Sequence, residues 1–313
     1  MTQFKQDVLE GLSSKPKRLS SRYFYDEKGD QLFQKIMQLE EYYLSRAELC
    51  VFENHKARLL ELMRPEEHFR IIELGAGDGS KTKVLLKHFS DQQASFSYCP
   101  VDISASVLQT LKSNLETEIP NLNVEPKPGD YFKILNDLKF QKDGHNVVYF
   151  LGSNIGNFLN ETATGFLSSI RENLNSGDRM LIGFDLKKDP AKILAAYNDS
   201  KGVTRQFNLN LLSRINEELD ADFDPKSFAH NPVYDPMTGE CRSYLVSLRD
   251  QEVCISSLNK RVAFKMWEPI FVEVSKKYDE DEIAQLAEFS GFKVVENLFD
   301  PERLFADSVW EVL

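Results

Sequence analysis

The feature that most constrains the fold is a glycine-rich turn between a short apolar run and a helical pattern. Residues 69–74 read FRIIEL, residues 75–80 read GAGDGS, and apolar residues then recur at helical spacing through Leu86. Ser80 is placed to cap that helix. A strand that passes through a tight glycine turn into a helix is typical of a β-α-β unit, so this segment predicts an α/β fold.

The same alternation continues along the chain. Further strands are expected at residues 95–101, 123–126, 146–151 and 179–184, with helical segments between them. The run at 146–151 is almost wholly apolar, as in a strand that is buried on both faces. A helix at 279–290 and strands at 292–298 and 308–312 would then close a doubly wound, mostly parallel sheet.

The segment from residue 187 to 276 has a different character. Helical patterns at 193–197 and 209–219 are followed by strand-like runs at 240–248, 253–256 and 262–264. This order is typical of an α+β lobe added to the sheet. We therefore expect a core made of residues 48–187 and 277–313, and a second lobe made of residues 1–47 and 188–276.

Charge and composition exclude several classes of function. The formal net charge is -11, which disfavours binding to nucleic acid or to an anionic membrane. The four cysteines are scattered without metal-ligand spacing, as expected for reduced thiols, and no metal is predicted. No apolar run approaches the roughly 20 residues of a membrane helix. We expect a cytoplasmic protein acting on a small molecule, with a monomer favoured.

Acidic residues follow successive predicted strands, where such sheets bind ligands. Glu73 ends the first strand and would repel a pyrophosphate but suit a cationic ligand, while Ser80 leaves the dinucleotide fingerprint incomplete. Asp102 ends the second strand and can accept ribose hydroxyls. Asp130 and Tyr131 follow the third strand and suit an adenine ring. A turn without a ligand remains an alternative, but together these residues predict a site for S-adenosylmethionine (SAM).

Short motifs along nearly the whole chain resemble the histidine-specific methyltransferases of ergothioneine biosynthesis, in the same order. They are YFYD at 23–26, GDQLF at 29–33, EYYLSR at 41–46, FLGSNIGN at 150–157, AAYND at 195–199, ADFD at 221–224 and EVS at 273–275. The resemblance implies a Rossmann-like class I methyltransferase with a second α+β substrate-binding lobe. It also implies transfer of methyl groups from SAM to the α-amino group of L-histidine, giving the Nα-trimethyl betaine (hercynine).

The resemblance also implies roles for individual residues. Those expected to contact SAM are Gly75, Lys81, Asp102, Asp130 and Tyr131. Those expected to contact the amino acid are Tyr43, Gly152, Asn157, Tyr197, Glu273 and Ser275. Tyr25 would lie near the reacting amine, so Tyr25 and Asn157 are the candidate catalytic residues.

The chemistry of these groups suits their implied roles. Asn157 offers a neutral amide to the amino-acid head, and Tyr197 offers a hydroxyl to its carboxylate. Glu273 and Ser275 are two residues apart and face the same way on an extended segment, where they can bind the two imidazole nitrogens. The amine must lose a proton before each transfer, and Tyr25 can organise the exit of that proton without being assigned as the base.

Two departures from the family pattern bear on the substrate. Asn154 stands where the family has threonine, and Ser243 falls where a methionine is expected beside the imidazole. Ser243 would make the side-chain pocket roomier and more polar, so another free amino acid such as tryptophan is an alternative. More distant alternatives are an NAD-dependent dehydrogenase, which Glu73 and Ser80 disfavour, and a SAM-binding protein without catalytic activity.

Overall fold

The computed structural model describes residues 2–64, 66–129, 134 and 145–313, and the chain forms two compact units. The first, which we call the Rossmann-like unit, comprises residues 44–187 and 277–313. The second, which we call the antiparallel-sheet unit, comprises residues 1–43 and 188–276. The first boundary lies at residue 44 and not at 48, because a helix begins there. The assignment of one unit to the cofactor and the other to the substrate stays a prediction.

The secondary structure of the described residues is as follows. The helices are α1 (Gln3–Ser13), α2 (Glu27–Met37), α3 (Leu44–Leu62), α4 (Thr82–Asp91), α5 (Ala105–Glu118), α6 (Asn160–Arg171), α7 (Pro190–Tyr197), α8 (Val203–Leu219) and α9 (Glu280–Phe289). The strands are β1 (Lys17–Arg18), β2 (Phe69–Leu74), β3 (Phe96–Asp102), β4 (Asn123–Val124), β5 (Lys127–Pro128), β6 (His145–Phe150), β7 (Arg179–Asp185), β8 (Phe228–Asp235), β9 (Glu240–Ser247), β10 (Gln251–Ile255), β11 (Lys260–Phe264), β12 (Pro269–Lys276), β13 (Phe292–Phe299) and β14 (Phe305–Val312).

The Rossmann-like unit contains a sheet in the order β13-β14-β7-β6-β2-β3-β4, with β5 also paired to β3. Strands β3, β2, β6 and β7 are mutually parallel, whereas β14 runs antiparallel to both of its neighbours. The chain reverses its direction across the sheet between β2 and β6, which is the topological switch point of a doubly wound fold. The predicted Rossmann-like fold is therefore confirmed.

Hydrophobic residues pack on both faces of this sheet. Ile72 and Val148 belong to the core on one face, and their neighbours Ile71 and Val147 belong to the core on the other. Adjacent residues of a strand point to opposite faces, so a strand that is buried along its length is covered on both faces. The nearly complete burial of β2, β6 and β7 thus places these strands in the centre of the sheet.

The antiparallel-sheet unit contains a sheet in the order β1-β12-β9-β8 and a separate hairpin of β10 and β11. Strand β8 was not predicted from the sequence. Its segment contains Pro232 and alternates weakly between apolar and polar residues. Because β8 lies at the edge of the sheet, proline is tolerated there. Its weak alternation explains why the sequence pattern did not predict a strand.

The end of β7 and the start of the last segment of the Rossmann-like unit lie side by side. The fully buried carboxylate of Asp185 and ammonium of Lys277 form an ion pair of 2.7 Å. The backbone N–H of Tyr278 donates to the carbonyl of Asp185 at 2.9 Å, and Leu186 pairs with Tyr278 in a parallel bridge. Residues 186 and 278 are thus held together although 91 residues lie between them.

The described residues contain neither a membrane-spanning helix nor a group of metal ligands. None of the helices in the described part of the chain is both long and apolar enough to cross a membrane. Within the same residues, no three His, Cys, Asp or Glu side chains are grouped as metal ligands would be.

Candidate active site

Three of the predicted site residues meet at the carboxyl edge of the parallel sheet. Gly75 follows β2, Asp102 ends β3, and Gly152 lies two residues beyond β6. Strand β2 pairs with both β3 and β6 in parallel, so the three strand ends are neighbours. Ligands of doubly wound sheets bind at this edge, and the sequence motif and the topology therefore point to the same place.

The glycine-rich turn needs its glycines for different reasons. Gly75, Gly77 and Gly79 all have positive φ, at 74°, 53° and 64°, where other residues are strained. A Cβ on Gly79 would lie 2.4 Å from Leu111, so this glycine also permits close packing against α5. A Cβ on Gly77 would meet nothing within 4 Å, so the backbone there faces open space that a ligand can approach.

Asp102 holds the turn from the neighbouring strand. Its carboxylate accepts the backbone N–H of Gly77 and that of Ser104, each at 3.0 Å. Each carboxylate oxygen has a further lone pair, and Asp102 is only partly buried, so it retains the capacity to accept ribose hydroxyls. The turn and the acid are thus a single hydrogen-bonded unit.

The predicted helix cap is wrong. Helix α4 begins at Thr82 with Lys81 at the cap position, and the exposed Ser80 instead donates its backbone N–H to the Asp78 side chain at 3.0 Å. Asp78 closes a local turn that extends the loop by one residue, which moves the start of the helix past Ser80.

The role expected of Glu73 is also wrong. Its carboxylate is buried and accepts the hydroxyl of Thr82 at 2.7 Å and that of Tyr98 at 2.5 Å. Burial raises the pKa of Glu73 to about 7, against the effect of these two hydrogen bonds. Glu73 therefore joins β2 to β3 and α4 inside the unit and is not presented to a cationic ligand.

Lys81 follows the glycine-rich turn at the cap position of α4, and it is paired with a residue that the sequence analysis missed. Its ammonium forms an ion pair with Glu48, whose second oxygen accepts the backbone N–H of Gly152 at 2.6 Å. Glu48 is fully buried on α3. Burial lowers the pKa of Lys81, but the Glu48 carboxylate raises it by more, so the lysine stays charged.

A signal for Glu48 was present in the sequence. Leu44, Ala47, Val51 and Phe52 form the buried stripe of α3, and Glu48 lies on that stripe. A charged residue at a core position of an amphipathic helix needs a buried partner, which makes it a candidate for function.

A second acid lies near this pair. Asp307 is fully buried in β14, and neither of its oxygens has a hydrogen-bond partner among the described residues. Burial, and then the Glu48 carboxylate, raise the pKa of Asp307 well above its usual range, although Lys81 acts in the opposite direction. Asp307 is therefore harder to ionise than an exposed aspartate.

The turn after β6 supplies further polar groups. Gly152 has φ of 72°, and the side-chain amide of Asn154 donates to the carbonyl of Leu151 at 2.8 Å. Asn154 thus fastens this turn in the place where the family has threonine. Asn157 ends the 3-10 turn Asn154–Asn157 with an exposed side chain. Two predicted cofactor residues, Asp130 and Tyr131, lie outside the described residues.

In the antiparallel-sheet unit, strand register brings together the predicted imidazole contacts. Glu273 on β12 lies opposite Ser243 on β9, and the Ser243 hydroxyl donates to the Glu273 carboxylate at 3.2 Å. Ser275, two residues further along β12, accepts the hydroxyl of Tyr197 from α7 at 2.7 Å. Residues two apart on a regular strand share a face, so Glu273 and Ser275 lie side by side.

The remaining predicted substrate residues are also in this unit. Tyr43 is buried, and the ammonium of Lys188 donates to its hydroxyl at 2.9 Å while lying 4.5 Å from its ring centre. Tyr25 packs edge-on against Phe33 and Phe207, with ring centroids 5.5 Å and 5.6 Å away.

Tyr25 is suited to donate a hydrogen bond and unsuited to act as a base. Its pKa lies above the usual value, through desolvation by its neighbours and through the carboxylates of Glu273 and Asp30. Since 46 % of Tyr25 is exposed, the desolvation is incomplete, and the nearby carboxylates are the firmer cause. Either effect keeps the phenol protonated at neutral pH.

The groups at the carboxyl edge of the Rossmann-like unit fit SAM. Open space over Gly77 admits a ligand close to the backbone, Asp102 can accept ribose hydroxyls, and Lys81 provides a cation for a carboxylate. This set lacks the full dinucleotide fingerprint, because Ser80 stands at the last glycine position of the G-x-G-x-x-G pattern.

Curated relatives are similar over most of the chain. The histidine N-alpha-methyltransferase of Mycolicibacterium smegmatis is 34% identical over 285 residues, which cover 91% of this chain and 87% of the relative. The protein of the same name from Mycobacterium tuberculosis is 34% identical over 274 residues, with 88% and 84% covered. Ergothioneine biosynthesis protein 1 of Schizosaccharomyces pombe is 31% identical and covers 89% of this chain, which spans 37% of that longer protein.

The model of one protein family matches residues 4–312, and its description is "Histidine-specific methyltransferase, SAM-dependent". The match extends over both units, and it includes the glycine-rich turn as well as the strands that carry Ser243 and Glu273. This chain belongs to the SAM-dependent, histidine-specific methyltransferase family.

Proposed function

We propose that this chain transfers methyl groups from SAM to the α-amino group of free L-histidine and forms its Nα-trimethyl betaine, hercynine. The observation that carries the proposal is the pairing of Glu273 with Ser243, beside the Ser275 hydroxyl. Family membership and the names of the relatives support the same substrate.

Glu273 and Ser275 offer complementary groups to an imidazole. The Glu273 carboxylate can accept the ring N–H, and the Ser275 hydroxyl can donate to the unprotonated ring nitrogen. Tyr197 donates its hydroxyl to Ser275 at 2.7 Å, which fixes the position of the Ser275 hydroxyl beside Glu273.

The SAM sulfonium supplies an electrophilic methyl group, so the protein's own residues have to bind and orient an amine. An ammonium has no lone pair, and the substrate must react as the neutral amine. Because Tyr25 stays protonated, we assign it as a hydrogen-bonding contact near the amine and not as the general base. Asn157 is assigned to the amino-acid head, to which its neutral amide brings no competing charge.

Tryptophan is the principal alternative substrate, since Ser243 is smaller than the methionine of the family pattern. The hydrogen bond from Ser243 to Glu273 argues against tryptophan. This bond keeps the Glu273 carboxylate in place, and an indole could satisfy only one hydrogen bond there. A site built around polar partners rejects ligands that leave those partners unpaired, by factors of roughly 10⁴ in favourable cases.

The test is to incubate the protein with SAM and an equimolar mixture of the free amino acids, and to follow the products by mass spectrometry. We expect mass increases of one, two and finally three methyl groups on histidine alone. Methylated tryptophan would instead identify the alternative substrate, and SAM binding without any methylated product would reject catalysis.

A variant separates substrate binding from cofactor binding. Asn157→Ala should weaken the binding of histidine, measured by calorimetry in the presence of S-adenosylhomocysteine, about tenfold or more through loss of hydrogen bonds. The affinity for S-adenosylhomocysteine alone should stay unchanged. Equal losses for both ligands would contradict the assignment of Asn157.

We further propose that the protein acts in the cytoplasm as a monomer. Its net charge of -11 also argues against a nucleic-acid substrate.

A further inference from the structure

We propose that Glu48 is a positioning residue that holds the Lys81 ammonium at the two glycine turns, where the ammonium binds the carboxylate of SAM. This inference rests on the assignment of Lys81 to the cofactor, and it adds a residue to which no role has been given. It is carried by the position of Glu48, by both of its contacts and by the space that the sheet leaves for it.

Glu48 occupies a place where a charge is costly. It lies on the apolar stripe of α3 and is 0% exposed. A buried carboxylate is strongly destabilising unless hydrogen bonds and an opposite charge compensate for it. An apolar side chain would serve better at this position if the helix had only to pack, so the carboxylate is retained for its contacts.

Both oxygens of Glu48 are used, and they join separate elements. One pairs with Lys81 at the start of α4, and the other accepts the backbone N–H of Gly152 after β6. Glu48 therefore ties the turn after β2 to the turn after β6. These are the turns that flank the topological switch point.

The sheet is adapted to receive this side chain. Gly183 on β7 lies directly beneath it, and a Cβ there would come within 2.6 Å of the Glu48 carboxylate. The φ of Gly183 is not positive, so glycine is needed here for space and not for backbone conformation. Asp307 is the partner of Gly183 in the neighbouring strand, and its burial opposes the ionisation of a second carboxyl beside Glu48.

Lys81 is held where an anion can reach it. Its Nζ atom lies 3.6 Å from the place that a Cβ on Gly152 would occupy, and its side chain keeps 27% exposure. An ammonium has three N–H donors, and the pair with Glu48 leaves others available. The carboxylate is the anionic group of SAM, so it is the partner that this cation selects.

Two possible roles for Glu48 predict opposite changes in the affinity for a carboxylate when Glu48 is removed. If Glu48 served only as a counter-ion, its removal would leave Lys81 more positive and strengthen the binding of a carboxylate. If Glu48 positions Lys81, its removal frees a flexible side chain to leave the turn, and the binding weakens. The sign of the change therefore separates positioning from simple neutralisation.

The experiment compares two ligands on the whole protein by isothermal calorimetry. S-adenosylhomocysteine contains the amino-acid carboxylate, whereas methylthioadenosine has the same adenosyl part without it. Glu48→Gln should weaken S-adenosylhomocysteine about 10- to 100-fold, the effect of one charge-assisted hydrogen bond, and leave methylthioadenosine unchanged. Lys81→Met should give the same selective loss, and adding Glu48→Gln to it should cause no further loss.

Other outcomes would overturn the proposal. Tighter binding of S-adenosylhomocysteine to Glu48→Gln would make Glu48 a counter-ion only, and equal weakening of both ligands would make it a purely structural residue. If Glu48→Gln does not fold, Glu48→Asp, which keeps the charge and shortens the reach, should show the selective loss. A wild-type protein that binds neither ligand would instead reject the proposed cofactor site itself.

Discussion

The two units of this protein hold their polar site residues in different ways. The Rossmann-like unit places a charged pair, Glu48 and Lys81, beside the buried acid Asp307, whose pKa burial raises. The antiparallel-sheet unit pairs the carboxylate of Glu273 with the neutral hydroxyl of Ser243. The difference matches the ligands proposed for them, since SAM has fixed charges whereas an imidazole needs one acceptor and one donor in defined places.

The largest effect is expected when the Glu273 carboxylate loses its charge. Glu273→Gln removes the group that accepts the imidazole N–H, and kcat/KM for histidine should fall about 100- to 1000-fold. S-adenosylhomocysteine affinity should stay at the wild-type value. The matched control is Glu252→Gln, an exposed glutamate of the same unit that pairs with Arg261.

A fall of less than threefold in kcat/KM for Glu273→Gln would remove the distinction between the two units. A variant that gained activity on tryptophan and kept activity on histidine would likewise show that Glu273 does not select the imidazole.

The next effect concerns the buried acid Glu73, whose pKa is raised to about 7. The folded protein binds this proton more tightly than the unfolded chain, so the free energy of unfolding should fall as pH rises from about 4.5 to about 7, by about 3 kcal/mol from this residue. Glu73→Gln should flatten the dependence over that window, measured by urea denaturation at each pH.

Glu172→Gln is the control for that measurement, because Glu172 is exposed and should leave the pH dependence unchanged. If the wild-type and Glu73→Gln curves run parallel between about pH 5 and about pH 8, the Glu73 carboxyl does not bind its proton in the folded state.

A smaller effect should follow from filling the space beneath Glu48. Gly183→Ala would bring a methyl group within 2.6 Å of Glu48 and 2.9 Å of the Phe305 ring, and such overpacking costs about 1–3 kcal/mol of stability. Binding of S-adenosylhomocysteine should weaken with it, while binding of methylthioadenosine is kept.

The contrasting control is Gly165→Ala inside α6, where a Cβ would meet nothing within 4 Å. This change should raise stability by about 0.5–1 kcal/mol, because alanine favours the helix. Similar stabilities for the two alanine variants in thermal unfolding would show that Gly183 is not needed for space.

The smallest effect is expected for the hydroxyl that supports Glu273. Ser243→Ala removes one neutral hydrogen bond at 3.2 Å, so KM for histidine should rise about three- to tenfold with kcat nearly unchanged. A fall in kcat at constant KM would place Ser243 in the chemical step and not in binding. Ser256→Ala, a serine of the same unit in the 3-10 turn Ser256–Leu258, provides the control.

The sequence predicted features whose evidence is local. Gly75 and Asp102 follow apolar strands directly, and the pattern of each strand and helix can be read within about ten residues. Glu273 and Ser275 were found through a family motif, and the strand register explains why they lie side by side.

Features that depend on distant contacts were missed or misassigned. Glu48 reaches Lys81 across 33 positions and Gly152 across 104, and no local pattern encodes such pairs. Glu73 follows the expected strand, but only the packing of Tyr98 and Thr82 around it decides that it is internal. Asp307 lies in the buried strand β14 and was visible in the sequence as an acid in a mostly apolar segment. Apolar periodicity alone does not identify such a residue.

The bridge between Leu186 and Tyr278 has a consequence for how such a chain can change over evolution. The segment between these residues starts and finishes at adjacent backbone positions, which the buried Asp185–Lys277 pair fixes. Lengthening that segment costs only a slowly growing closure entropy, about 0.6 kcal/mol for each doubling. Residues 188–276 can therefore change through insertions, deletions or exchange while the strand order of the methyltransferase sheet is inherited unaltered.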